Sequence, residues 1–424
     1  MQTVKSSPWQ PLLEAELRRV ALAAVEEIAA ELQTRAAETL DCSLASGHAG
    51  LAIAFAYFHR WRVDRGFGET SAQHLNLAID HLSLIPLMPG LHAGFSGIAW
   101  AAAHLDRLAG RADETADAFE SIDAALEDLL SAESWDRDYD LIGGLAGIGV
   151  YALERLPHPA ARKCLAGVVE QLARLAETRP AGMSWRTPLH LIPEHRRAER
   201  PEGEFNLGLA HGAPGPIAVL AQAAAAGVAV ENAADLVDRA VPWLLAQRLS
   251  DSPHARFGYD AGPGETRGPA RSAWCYGDPG VAAALACAGR ARGNSEWEGL
   301  AREIALDALD RSEPEMQVAD AGLCHGWAGL LQIYNRLFQA TGDSRFADFA
   351  RQCCERTLQA RVSGRGIAGY AVWQGGGPDV RWEWKTEVGL LEGVAGIALA
   401  LLAAGTEISP DWDLTFLISN RALS

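Results

Sequence analysis

The sequence predicts an all-α fold, a double-layered α/α toroid of seven inner and seven outer helices, and three observations carry that prediction. A Gly-x-x-Gly corner recurs seven times along the 424 residues. Each corner opens an Ala/Leu/Ile-rich run with little charge on any side, which reads as a helix buried nearly all round. Upstream of each corner lies a segment with apolar residues at helical spacing and acids between them, which reads as a helix with one buried face. Seven such units can close into a ring with the buried helices inside. The competing architecture is an open α-solenoid such as a tetratricopeptide array. The uneven spacing of the second glycines, at 50, 97, 147, 215, 280, 329 and 396, counts against it.

In chain order the corners are GHAG at Gly47, GFSG at Gly94, GLAG at Gly144, GAPG at Gly212, GDPG at Gly277, GWAG at Gly326 and GVAG at Gly393. Amphipathic segments precede them at 12–35, 71–85, 115–132, 160–179, 233–249, 296–312 and 345–362. The third places Phe119, Ile122, Leu126, Leu129 and Leu130 on one face, and the fourth Leu165, Val168, Val169, Leu172 and Leu175. Paired glycines let backbones approach closely where the chain turns into each helix. Stretches at about 180–205, 251–271 and 362–386 read as loops or short strands inserted between helices of a single domain spanning 1–424.

Composition narrows the function classes. A net charge of −17 argues against nucleic acid and against an anionic membrane surface as the main partner. Seven cysteines, an odd number in a long chain, do not suggest a disulfide framework. The N-terminal residues carry no unbroken apolar stretch of the kind a signal peptide needs. The longest uncharged run, Asn206 to Val230, contains His211, Pro214 and Pro216 and suits a buried helix better than a membrane span. A cytoplasmic protein is expected.

The chemistry falls in two slots of the repeat. Immediately before the first glycine stand Ser46, Ala93, Gly143, His211, Tyr276, His325 and Glu392. One residue earlier stand Ala45, His92, Ile142, Ala210, Cys275, Cys324 and Leu391. His211, Cys275, Cys324 and His325 are thus distant in sequence but in phase. Two cysteines and one histidine brought together make a tetrahedral zinc site with one open position, the mark of a catalytic centre. The structural alternative for Cys275 and Cys324 is a small buried hydrophobe. Cys42, Cys164, Cys287, Cys353 and Cys354 lie out of phase and read as core or surface thiols.

The stretches SAWCYGDPG, GLCHGWAG, LAHGAPG and YDLIGGLAGI, in the places they hold here, resemble the lanthionine synthetase C-like family of lanthipeptide cyclases. The resemblance covers essentially the whole chain. It implies an α/α toroid holding one Zn2+ through Cys275, Cys324 and His325. It also implies catalytic or substrate-positioning roles for His211, Asp140, Arg271 and Tyr276. His92 has no counterpart in that pattern, and a hydrogen bond within its own corner is the simplest expectation for it.

The reaction implied is intramolecular addition of a peptide Cys thiol to dehydroalanine or dehydrobutyrine, which forms lanthionine or methyllanthionine rings. A free thiol is little ionised near pH 7, and coordination at an open zinc position would deprotonate it. The resulting enolate needs a proton, for which His211 is the expected donor. Asp140 would orient or charge His211, and Arg271 would stabilise the enolate. An Asp140–Arg271 ion pair bracing the ring is the structural alternative. No segment is large enough to be a dehydratase, so the substrate is expected to arrive already dehydrated. That predicts a transient complex with a dehydratase, with a membrane-bound exporter as a further candidate partner. The insertions near Trp185 and Trp373 are candidate docking places for a leader peptide. Three rivals remain. One is glutathione addition to dehydroamino acids at the same site. Another is a toroid glycosidase, for which the corners offer only Glu392 and Asp278. The last is a non-catalytic zinc-binding scaffold, which a fourth protein ligand would favour.

Overall fold

The computed structural model describes residues 9–35, 41–84, 87–112, 114–252, 254–261, 268–375 and 381–419. Fourteen helices of ten residues or more fall among them. The inner seven are α2 (His48–Trp61), α4 (Phe95–Leu108), α6 (Leu145–Glu154), α8 (Pro214–Ala225), α10 (Asp278–Arg292), α12 (Trp327–Thr341) and α14 (Val394–Gly405). The outer seven are α1 (Ala15–Arg35), α3 (Phe67–Leu84), α5 (Glu120–Leu130), α7 (Pro159–Leu175), α9 (Val230–Leu245), α11 (Ser295–Asp307) and α13 (Ser344–Gln359). Each inner helix packs on the next, and α14 packs on α2, so the ring closes. A toroid rather than a solenoid is therefore observed.

Burial follows the sequence pattern. All twelve residues of α14 are buried, whereas α9 buries one stripe that includes Ala233, Leu236, Val237, Ala240, Val241 and Leu244. Two boundaries differ from expectation. Phe119 ends a 3-10 turn before α5 instead of lying within it. Residues 176–179 leave α7 to form strand β1.

Each outer helix packs more on the inner helix that precedes it than on the one that follows, and α1 packs on α14; α3 and α7 also touch the inner helices that follow them, α4 and α8. Short reversals explain this. Gly293, in the left-handed region at φ 62°, and the Asn294 N-cap join α10 to α11. Gly342 and Asp343 do the same between α12 and α13. A connection of two residues leaves antiparallel neighbours as the main outcome.

At the corners the backbone makes a second, tighter ring. Ala45 N–H donates to the His92 carbonyl (2.9 Å) and His92 N–H to Ile142 (3.0 Å). Leu141 N–H donates to Ala210 (3.1 Å), Ala210 to Cys275 (3.4 Å) and Cys275 to Cys324 (3.2 Å). Cys324 N–H donates to Leu391 (2.9 Å) and Leu391 returns to Ala45 (2.9 Å). The slot two residues before the first glycine thus forms a circle of hydrogen bonds, completed at the third corner by the Leu141 N–H in place of that of Ile142. The slot before it, Leu44, Leu91, Leu141, Leu209, Trp274, Leu323 and Leu390, is buried throughout. The slot after it, from Ser46 to Glu392, is at least partly exposed throughout.

The glycines are required by space. A Cβ on Gly47, Gly94, Gly144, Gly212 or Gly277 would lie 2.0–2.2 Å from the carbonyl oxygen six residues upstream. Of the seven first glycines only Gly277 needs the left-handed region, at φ 82°.

Three two-stranded antiparallel sheets break the helical pattern. They are β1 (Ala176–Arg179) with β2 (Gly182–Trp185), β3 (Phe205–Asn206) with β4 (Asp260–Ala261), and β5 (Val372–Gln374) with β6 (Glu383–Lys385). Parts of the second and third expected insertions, 262–267 and 376–380, lie outside the described residues, as do residues 1–8 of the N-terminal reading. Trp185 is fully buried, with Nε1 donating to the Leu172 carbonyl (2.9 Å), so its indole offers no docking surface.

The bore of the ring is filled by the segment that follows α14. A 3-10 helix, Asp411–Phe416, places Leu414 and Leu417 against Trp100, Val150 and Leu153 of α4 and α6. The Phe416 carbonyl accepts from Trp274 Nε1 (2.8 Å). Asp413, fully buried, receives both Nε and an Nη of Arg336 (2.7 and 2.9 Å). A buried carboxylate persists only when paired and hydrogen-bonded in this way. No helix among the described residues is long and apolar enough to cross a membrane.

Candidate metal centre

Because Cys275 and Cys324 occupy neighbouring places in the hydrogen-bonded circle, their side chains start from adjacent Cα positions at the mouth. His325 follows Cys324 in the exposed slot. The two thiols and the imidazole offer ligand atoms all within 4.8 Å of one another, and no other group of three such residues occurs among the described residues. Donors in a tetrahedral zinc site with these ligands stand about 3.5–3.8 Å apart, so the set fits such an ion with little adjustment.

Electrostatics suit a cation. A hydrogen bond with Cys324 draws the Cys275 thiol well below the ordinary thiol range, against burial, with help from His325 and Arg271. The same bond pushes Cys324 up, so Cys275 ionises first. Burial lowers His325, but its bond to Cys275 and the nearby charges of Asp320 and Glu392 overcome that and raise it. Asp320 Oδ2 lies 3.7 Å from His325 Nε2, and Glu392 Oε1 lies 4.0 Å from Nδ1. At these distances the two carboxylates act on the imidazole through their charge and not through hydrogen bonds.

Beside this group stands an acid–imidazole pair. His211 Nδ1 is 2.6 Å from Asp140 Oδ2, and Asp140 Oδ1 accepts from the Gly143 N–H (2.8 Å). Burial disfavours the imidazolium, but the Asp140 bond and charge, with Cys275 and Asp138, raise the His211 pKa. The side chain of His211 is 47% exposed, so desolvation is partial and the carboxylate prevails. Asp138, a second acid next to this pair, was not singled out from the sequence. Its position two residues before Asp140 was the only signal.

Arg271 does not pair with Asp140. Its N–H and Nε face the Tyr259 hydroxyl at 3.3 and 3.5 Å, and no carboxylate among the described residues lies in ion-pair range. The Tyr276 hydroxyl accepts from Asn206 Nδ2 (3.0 Å), and burial raises its pKa. His92 is wholly buried. Its Nε2 meets the Thr415 carbonyl at 3.2 Å rather than a corner partner, and burial lowers its pKa to about 4. It braces the segment in the bore. Asp278 is also wholly buried, accepting from the Arg256 and Phe257 N–H groups. It is absent from the mouth, which removes the Glu392–Asp278 pair that the corners offered a glycosidase. The five out-of-phase cysteines are all buried.

A cavity of about 580 Å³ opens over Cys275 and His325, walled by Arg271, Tyr276, Glu392 and the β5–β6 hairpin. Fold and site together define a helical toroid whose mouth carries a Cys, Cys and His group that could hold a metal ion. The chain belongs to the lanthionine synthetase C-like protein family, whose sequence model matches residues 38–417. It is 21% identical over 333 residues to the nisin biosynthesis protein NisC of Lactococcus lactis subsp. lactis, covering 74% of this chain and 77% of that protein. Among solved structures, nisin cyclase superposes with a TM-score of 0.76 at 20% identity, covering 94% of this chain and 97% of that one. That likeness is one of fold.

Proposed function

We propose that this protein is a zinc-dependent lanthipeptide cyclase, a single toroid domain over 1–424 that closes thioether rings in a dehydrated peptide. The observation that carries the reading is the convergence of Cys275, Cys324 and His325 within 4.8 Å, with Cys275 and His325 on the wall of a cavity, in a chain of this family. Two thiolates and an imidazole are borderline-soft donors that suit zinc. Among the described residues no fourth Cys, His, Asp or Glu joins the group, which favours catalysis over a scaffold. When bound, zinc supplies the Lewis acidity that keeps a thiol ionised at neutral pH.

The chain's own groups do the rest. The attacking sulfur loses its proton and bonds to the β-carbon of the dehydroamino acid, and the C=C electrons move to the α-carbon as an enolate. His211, held by Asp140 at Nδ1, presents Nε2 and returns a proton to that α-carbon. Arg271, without a carboxylate partner, stabilises the enolate oxygen. Tyr276, kept protonated and fixed by Asn206, positions the peptide. The reaction is an isomerisation. We further infer a cytoplasmic enzyme that takes its substrate from a separate dehydratase and works beside a membrane-bound exporter.

The zinc-loaded protein should convert a dehydrated Cys-containing peptide to a product of unchanged mass whose thiols no longer react with an alkylating reagent. Persistent thiol labelling would refute the reading. With free glutathione present, a mass gain of one glutathione per dehydroamino acid would support the rival addition instead.

A further inference from the structure

The β5–β6 hairpin carries three tryptophans beside the metal centre. Trp373 and Trp382 line the same cavity as Cys275 and His325. Their ring centroids lie 6.1 Å apart with the planes 24° from parallel, too close to admit a third ring between them. Trp384 packs on Trp373 at 5.2 Å, and Arg365 covers it at 4.6 Å. Trp382 remains 46% exposed. Its indole lies against Gly375, where a Cβ would come within 2.7 Å of the ring. The hairpin is also tied to the centre. The Trp373 N–H donates to Asp320 Oδ2 (3.0 Å), and Gln374 donates to Glu392. Asp320 and Glu392 are the two acids that flank His325.

We propose that Trp373 and Trp382 form a platform that binds an apolar side chain adjacent to the reacting cysteine of the peptide substrate. This rests on the cyclase reading above. The occupant follows from position and charge. Whatever fills the cavity must bring a thiol to Cys275 and His325, so its neighbouring residue lies over the hairpin. Lys385 and Arg271 border the cavity together with Glu392, and Lys385 lies 3.6 Å from Glu383, so the wall carries both signs of charge and favours no charged neighbour. A flat indole surface left in water gains most by covering another apolar group. The backbone ties to Asp320 and Glu392 hold the platform in register with the centre, so the platform selects which cysteine enters.

Two peptides differing only in Leu or Ser beside the cysteine test this, with alanine in place of dehydroalanine for binding and dehydroalanine for turnover. Calorimetry on the zinc-loaded protein should show the Leu peptide binding about tenfold tighter. In Trp382→Ala the two affinities should become equal, with zinc content and helix content unchanged. Trp382→Phe should restore most of the preference. Equal affinities in the wild type, or a preference that survives in Trp382→Ala, would overturn the platform. Turnover separates this from the cyclase reading. A Leu preference in binding without any ring closure refutes the cyclase and leaves the platform standing. Ring closure without a Leu preference refutes the platform alone.

Discussion

The first three corners and the last four share one backbone and differ in nearly everything else. Both arcs take part in the same circle of hydrogen bonds, from Ala45 round to Leu391, and both bury an apolar residue beneath it. In the exposed slot the first arc carries Ser46, Ala93 and Gly143, and the second His211, Tyr276, His325 and Glu392. The arcs also differ in their surroundings. All three strand pairs follow the third corner in sequence, and two of them contribute Asn206 and the tryptophan wall. Closure of the ring needs every corner, whereas chemistry needs only neighbours. Groups must stand within a few ångströms to share an ion or a proton, and adjacent corners meet that condition.

The comparison breaks most decisively at the metal. Cys324→Ala should remove nearly all zinc and abolish ring closure while circular dichroism stays near wild type, because the circle uses only the backbone of that residue. Full zinc occupancy in this variant would undo the ligand assignment. Next comes His211→Asn, which should keep zinc and peptide affinity but slow ring closure by about 10²–10⁴-fold. Lost metal would make His211 a ligand, and unchanged turnover would make it a structural residue. In the first arc, Gly94→Ala should destabilise the fold by about 1–3 kcal/mol, because the new Cβ would meet the Met88 carbonyl at 2.0 Å. Denaturant midpoints would show this, and the folded fraction should bind zinc normally. A neutral effect would mean that the first arc is not needed for closure. The smallest effect concerns pH. In the proposed mechanism His211 acts protonated, and Asp140 raises its pKa, so turnover should fall as pH rises through that raised value. In Asp140→Asn the raising charge is gone, and the alkaline limb should move to lower pH. An unmoved limb would assign the titration to another group.

The legibility of the site followed the same division. The phase of Cys275, Cys324 and His325 was readable because a repeat converts sequence register into position. His92 sat in the same slot with an equally strong chemical group, yet its ring turned to Thr415, more than 300 residues away. Nothing near His92 in sequence announces that contact. Arg271 was marked only by the family resemblance, and its partner, Tyr259, came from the insertion and not from the repeat.

By itself the sequence determined the alternation of inner and outer helices, the seven corners and the shared phase of Cys275, Cys324 and His325. These depend on local periodicity and on glycine spacing, which burial imposes on neighbouring residues. Tertiary structure alone decided that outer helices pack on the inner helix before them, that the segment at 411–419 fills the bore, and that Trp373 and Trp382 face the centre. Those outcomes depend on contacts between segments far apart in the chain. Many pairings of apolar faces satisfy the same local pattern, and only closure of the whole ring selects one.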